Sequence, residues 1–365
     1  MTTPVDAPPT SSFSLKRVLI AAIPLAIVCL IVVREFRGVE RAAQEHATET
    51  VVARMMGETD APQELAAGYA DADGNLIADA PTSAEDFLDP ETLTFSYVAS
   101  ADSTFDDATW APFVSALAEQ IGRPLQRVNY TDAGEQIRAL RDGTLHVAAF
   151  STGAAVNAVN EAGFVPFACV ANGVGQYGIT MKVIVPAGSE IRGLADLRGR
   201  RIAFTRPRSN SGYRAALAAL LLEADLQPER DYRWGFTYGH ENSIRAIAAH
   251  RSNDRNTPDA AAVASDLLDQ LIRRGEVTDD AVVSIYESKP FPPAVFGYAH
   301  CLAPELQERV RAALLGLELT PAQWEATLGA PPDARLVEVS YASDWEPVRK
   351  VNKALHDTRA KLVAP

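Results

Sequence analysis

Reactive and metal-binding side chains are scarce in this sequence. It has three cysteines, Cys29, Cys169 and Cys301, and no Cys-x-x-Cys, so neither a zinc ribbon nor a dithiol redox motif is encoded. Cys169 and Cys301 read as buried thiols that pair only if the fold brings them together. The six histidines are scattered, and Gly239-His240-Glu241-Asn242 lacks the second histidine of a metalloprotease helix. There is no Gly-x-Ser-x-Gly and no Walker loop. Carboxylates are plentiful, but no spacing singles out an acid/base pair. The sequence therefore does not describe an enzyme, and no metal or cofactor is expected. Basic charge is also in deficit. Lys and Arg number 34 against 47 Asp and Glu, a formal charge of −13, which argues against nucleic acid as a partner. Apolar residues, by contrast, make up 47% of 365 residues, enough for two lobes and an appendage, and this excludes global disorder.

The N-terminus carries one long uncharged run. Residues 1–17 form a polar tail ending in Lys16-Arg17, Val18–Val33 has no charge, and Arg34, Glu35 and Arg37 close it. As a helix the run spans roughly 24 Å, a little short of the hydrocarbon core, so flanking Lys and Arg would snorkel. No small-x-small site closely follows it, which favours an uncleaved transmembrane anchor over a signal peptide. The basic N-terminal flank places that end inside and the bulk of the chain outside, on the periplasmic face of the inner membrane. Residues 34–90 read as a stalk and linker, first charged and helix-compatible, then rich in Ala, Asp, Pro and Gly.

From residue 91 the chain alternates strand and helix. Leu93–Ala99, Leu125–Tyr130 and Leu145–Phe150 read as strands, with helices at Trp110–Ile121, Thr131–Leu140 and Ala154–Ala162. This implies a parallel sheet with helices on its faces, and ligands bind such sheets beyond the carboxyl ends of the strands. The polar loops there carry Ser103 and Thr104 after the first strand, and Ser151 and Thr152 after the third. Gln176–Val185 is a strand leaving this first lobe. A second alternation follows over 186–287, and 288–365 returns to the first lobe and ends in helices.

The second alternation is built around Leu197–Tyr213, where an Arg-Ile-Ala-Phe-Thr strand is broken by Pro207 and delivers Ser209-Asn210-Ser211-Gly212 onto a helix start. Free backbone N–H groups, two hydroxyls and an amide at a helix N-terminus suit an anion. Arg198, Arg200, Arg201, Arg206, Arg208 and Arg214 crowd the same stretch. It reads equally as an anion-binding turn and as an ordinary N-cap among solvated arginines.

A resemblance separates the two readings. Asp-Leu-Arg-Gly-Arg-Arg-Ile-Ala-Phe, then Pro-x-Ser-x-Ser-Gly-Tyr, then Gly-His-Glu, then a strand ending in Ser-Asp-x-x-Asp resembles the phosphate/phosphite/phosphonate-binding proteins of ABC transporters over roughly Leu93–Leu317. The resemblance implies a type II periplasmic-binding fold: two α/β lobes joined by two crossing hinge strands, here Gln176–Val185 and Val282–Glu287, closing on ligand. It implies ligand contacts from Ser209, Asn210, Ser211 and Gly212, from His240, and from Asp266, which would accept a hydrogen bond from a protonated ligand oxygen or pair with a ligand amine. Tyr177 is a further candidate that equally suits a packing role.

Two departures narrow the ligand. Aminophosphonate binders carry a second acid in the return segment, and Ser288–Ala294 has none. Arg206 stands where the family has an acid before proline. Both favour phosphate, phosphite or a small alkylphosphonate over an aminoalkylphosphonate. The expectation is a membrane-anchored solute-binding protein that serves an ABC permease. The alternative is a sensor or adaptor that uses the same clamp to report ligand to a membrane partner.

Overall fold

The computed structural model describes residues 62–98, 107–250 and 257–363. The expected anchor and the stalk up to residue 61 lie outside them. Among the described residues no helix is long and apolar enough to cross a membrane.

Two sheets form two lobes. The elements of the first are β1 (Leu93–Ser96), α1 (Asp107–Ile121), β2 (Leu125–Arg127), α2 (Ala133–Arg141), β3 (Val147–Phe150), α3 (Thr152–Ala162) and β4 (Phe164–Ala171). The chain then crosses to β5 (Met181–Pro186), β6 (Arg201–Phe204), a π-helical turn at Asn210–Arg214, α4 (Ala215–Leu222), β7 (Arg233–Phe236), α5 (His240–Ala248), β8 (Ala260–Ala264), α6 (Ser265–Arg273) and β9 (Val282–Glu287). It returns through β10 (Val295–Ala299), α7 (Pro304–Leu315), α8 (Pro321–Leu328), β11 (Arg335–Glu338), α9 (Tyr341–Asp344) and α10 (Glu346–Val363).

The lobe 1 sheet runs β11-β4-β10-β3-β1-β2 and the lobe 2 sheet β7-β6-β8-β5-β9. Each has a parallel trio, β3-β1-β2 and β7-β6-β8, extended by antiparallel strands on one side. The sheets are therefore mixed, not purely parallel. The correction comes from β4 and β11, which the sequence reading passed over. Phe164–Ala171 is apolar without alternation and contains Pro166, so nothing in its pattern marks a strand. Its proline has no ladder N–H, and β10 accommodates it with a register shift between Phe296 and Gly297, opposite Pro166.

The crossing strands also differ from expectation. β5 and β9 both lie within lobe 2 as neighbours. The crossovers proper are 172–180 and 288–294, paired at one point by reciprocal backbone bonds of 2.9 Å between Ile179 and Phe291. Further bonds hold each crossover to its own surroundings, among them Ser288 N–H to Met181 O at 2.9 Å and Tyr177 to Asp344.

Residues 62–90, expected as part of a tether, lie on lobe 1. Ala66 N–H donates to Asn160 O, the Asn160 amide donates to Pro62 O, and Tyr69 packs edge-on against His300 at 4.9 Å. Leu88 exchanges backbone bonds with Cys301 and Ala303. The apolar residues Leu65 and Ile77 account for this docking, since both pack against the core.

One core lies on the α1 side of the lobe 1 sheet, around Phe95, Trp110, Phe113 and Phe296. Another lies in lobe 2 around Ile184, Ile244 and Leu268. The largest is shared by both lobes: α3 of lobe 1, Tyr213 and α4 of lobe 2, and Trp345, Val348 and Leu355 of the C-terminal segment. Cys169 and Cys301 are free thiols.

Candidate functional site

The carboxyl ends of the two parallel trios supply the cleft. In lobe 1, the buried Gln136 amide donates to Ala149 O at 3.1 Å and Ser96 O at 3.4 Å, tying together the ends of β1 and β3. Just beyond β1, Tyr97 is seated between Trp110 and Phe296, with ring centroids 5.0 and 5.7 Å away. Ser151 is the N-cap of α3, with no side-chain capping bond.

In lobe 2, β6 runs into the π-turn. Ser209 caps it, its Oγ accepting the Gly212 N–H at 3.0 Å. The wide turn then closes with Arg214 N–H on Ser209 O, also 3.0 Å. This leaves the N–H groups of Asn210 and Ser211 as donors that the turn does not use. Gly212, a sequence candidate for ligand contact, has its N–H committed to the cap. Its own constraint is steric, because a Cβ there would lie 1.8 Å from Thr205 Oγ1.

His240 opens α5 and Asp266 lies in the first turn of α6. The His240 Nδ1 accepts the Ala264 N–H at 3.0 Å, and Nε2 lies 3.3 Å from Ser209 Oγ. An Nδ1 that accepts a backbone proton carries none itself, so the neutral ring has its proton on Nε2, facing Ser209. Desolvation of this half-buried ring, helped by the Arg206 charge, lowers the histidine to about 4. It is a neutral donor at physiological pH. The Asp266 side chain is exposed to solvent, with protein mass around it on several sides. Desolvation pushes its carboxyl up to about 6, partly offset by the N–H groups of Asp266 and Leu267. Its charge reaches across to Tyr97, whose phenol is raised first by burial and then by Asp266. Tyr97 of lobe 1 and Asp266 of lobe 2 thus bracket one cleft.

Ser151, Ser209, Asn210, Ser211, His240 and Asp266 are therefore placed on the turns that bound the cleft. Ser103 and Thr104 lie outside the described residues. Thr152 is corrected: it is buried, and its hydroxyl donates to Pro292 O at 2.7 Å, so it serves the return crossover. The Tyr177 phenol donates to the Asp344 carboxylate at 2.9 Å, and burial together with that acid raises it to about 12.

Four of the six arginines go to separate partners. Arg198 pairs with Asp231, Arg206 donates to Tyr238 O, Arg208 lies 3.8 Å from Asp132 of lobe 1, and Arg214 is buried toward α3. The sequence reading missed Tyr97 and Gly153. An aromatic at the carboxyl end of the first strand was the available signal for Tyr97. A Cβ on Gly153 would meet Arg208 O at 2.3 Å and Asn210 N at 2.9 Å, so this glycine lets the two lobes touch beside the site.

Among the described residues no group of acids, histidines and cysteines is arranged to hold a metal. The arrangement offers neutral hydrogen-bond donors and one acid of raised pKa, with the Arg206 charge close enough to act on His240.

Comparison with known proteins identifies the family and the fold. The family model for the periplasmic substrate-binding protein of phosphonate ABC transporters matches residues 95–348. A phosphate-import protein, PhnD, of Mycolicibacterium smegmatis is 26% identical over 244 residues, 63% of this chain and 72% of that protein. The solved binding component of a phosphonate ABC transporter from Pseudomonas aeruginosa superposes with a TM-score of 0.60 at 18% identity, over 75% of this chain and 97% of that one. PhnD1 of Prochlorococcus marinus in complex with methylphosphonate gives 0.60 at 12% identity, over 73% and 99%. These two likenesses fix the two-lobed fold.

Proposed function

This chain belongs to the family of periplasmic substrate-binding proteins of phosphonate ABC transporters, which bind and deliver rather than catalyse, and from that premise we propose that it captures a small, singly protonated phosphorus oxyanion: phosphate, phosphite or a short alkylphosphonate. The observation that carries the reading is the locked His240. With Nδ1 held by Ala264 N–H, Nε2 is a fixed donor beside Ser209 Oγ and the unused N–H groups of Asn210 and Ser211. These donors take the ionised oxygens. The Asp266 carboxylate accepts a hydrogen bond from the remaining P–OH, and Tyr97 and Ser151 close the cleft from lobe 1. The M. smegmatis relative is a phosphate-import protein, which fits this class of ligand. The Ser288–Ala294 crossover has no acid to pair with an amine, so aminoalkylphosphonates are disfavoured.

Calorimetry of the full chain against phosphate, phosphite, methylphosphonate, aminoethylphosphonate and sulfate tests this. Phosphorus oxyanions bind, and sulfate, which has no proton to give at neutral pH, binds about tenfold or more weakly, the loss of one hydrogen bond to a charged group. Sulfate binding as tightly as phosphate removes the role given to Asp266. The apolar run Val18–Val33 supports a single-pass anchor that holds this domain outside the cytoplasmic membrane. Full-length protein then stays in the membrane pellet after alkaline carbonate washing; release into the supernatant removes the anchor.

A further inference from the structure

We infer that Arg214 is a positioning residue: a buried latch that holds the ligand-gripping turn of lobe 2 against the first turn of α3 in lobe 1, so that gripping the ligand and closing the lobes are one event. The inference rests on the cleft being the oxyanion site.

Arg214 is the last residue of the π-turn whose opening residues are Ser209–Ser211. It is 0% exposed. One guanidinium nitrogen, Nη1, donates to Gly153 O at 3.1 Å and lies 3.5 Å from Asn352 Oδ1 of α10; Nη2 donates to Asn157 Oδ1 at 3.0 Å. Gly153 and Asn157 belong to lobe 1, and Gly153 lies two residues beyond Ser151. The guanidinium thus bonds directly to the helix turn whose cap faces the cleft.

The backbone beside it is as closely fitted. The missing Cβ of Gly153 leaves room for Arg208 O and Asn210 N, so the two ligand-facing turns lie against each other. Trp345, whose indole N–H donates to Thr152 O at 3.0 Å, closes the same junction from the C-terminal segment. The planar, five-donor fork of an arginine suits several acceptors fixed on different elements. The guanidinium keeps these acceptors only while the lobes are together; separation at this junction exchanges them for water and exposes the apolar residues packed around it. The Arg208–Asp132 pair at the rim is exposed and adds little by comparison.

The test uses full-length protein in detergent: wild type, Arg214→Met, Arg214→Lys and Asn157→Leu. Neutron scattering at the detergent match point, without ligand, reads lobe separation, and stopped-flow reads phosphate dissociation. Arg214→Met is expected to be more open than wild type and to release phosphate about 10- to 100-fold faster, with association little changed. Arg214→Lys recovers part of both. A folded Arg214→Met that melts earlier but keeps wild-type shape and dissociation overturns the latch, since a purely structural residue moves only the melting point. If Arg214→Met does not fold, Asn157→Leu decides by the same two readouts, and no change in either overturns the latch. If wild type binds no phosphorus oxyanion, the oxyanion reading falls, and scattering alone judges the latch.

Discussion

The two helix mouths that meet at the cleft are unlike. The π-turn of lobe 2 keeps two backbone donors open, caps itself with Ser209, and is flanked by His240 and Asp266 from neighbouring strand ends. The α3 mouth of lobe 1 is tied down: Thr152 to Pro292 O, Thr152 O to the Trp345 indole, and Gly153 to Arg214. Both follow a short buried strand and both carry a small polar pair, so sequence pattern alone makes them equivalent. The difference lies in what surrounds them. On the proposed reading, lobe 2 supplies most of the ligand contacts, and lobe 1 supplies a braced surface opposite them.

The most damaging way to test that division is to leave every lobe 2 donor intact and spoil the brace. Gly153→Val places a branched side chain where even a Cβ lies 2.3 Å from Arg208 O. Overpacking of this kind costs about 1–3 kcal/mol, and here the cost falls on the closed form. Calorimetry should show phosphate affinity falling by more than tenfold (about 1.4 kcal/mol). Equal affinity would mean that lobe 1 does not close on this face. The complementary change, His240→Ala, removes one fixed donor and should weaken phosphate by about 1–3 kcal/mol, with His240→Asn recovering part. If Ser151→Ala weakens binding more than His240→Ala, the division between the lobes is reversed.

Much of this was legible before any coordinates. The parallel trios follow from strand-helix alternation, and the family follows from four ordered motifs, whose resemblance also implies the proposed contacts Ser209–Gly212, His240 and Asp266. What sequence does not carry is direction and partnership. Thr152 is a small polar residue at a helix start, just like Ser209, and nothing local says that its hydroxyl turns to Pro292 O, 140 residues away. The arginines of 198–214 form a cluster in sequence, but a strand, a proline and a wide turn send them to Asp231, Tyr238 O, Asp132 and Asn157. β4 lacked alternation because it lies between two other strands of its sheet with apolar packing around it. Residues 62–90 have a linker's composition, and only a few apolar residues, Leu65 and Ile77 among them, betray their docking.

A smaller effect separates two groups within lobe 2. The Asp266 carboxyl is raised to about 6, so the folded chain keeps a proton that the unfolded chain releases from about pH 4 upward; its contribution to stability is lost as pH rises through that window. His240 is lowered to about 4, so the unfolded chain takes a proton first; its contribution is lost as pH falls from about 6.5 to about 4. The slopes oppose and offset each other, leaving wild-type stability nearly flat from these two groups. Asp266→Asn removes one slope only. Thermal melts at about pH 4.5, 6 and 7.5 should show a variant more stable than wild type near neutrality that loses stability on acidification. A variant with the wild-type profile would mean that Asp266 ionises as freely as a surface acid.

The smallest expected effect falls on Tyr177, which lies on the outgoing crossover and is a sequence candidate for ligand contact. Its phenol is bonded to Asp344, which also accepts from Ser340 N–H and the Ser343 hydroxyl. Tyr177→Phe removes one of several donors from a carboxylate that keeps the others and remains open to water. The loss in stability is at most about 1 kcal/mol, because a solvated acceptor finds water in place of the phenol. Phosphate affinity and dissociation are expected to stay at wild-type values, because the hydroxyl is bonded to Asp344 of the C-terminal segment. A drop in affinity with an unchanged melting point would instead put Tyr177 in the cleft, and lobe 1 would then contribute a ligand contact through the hinge itself.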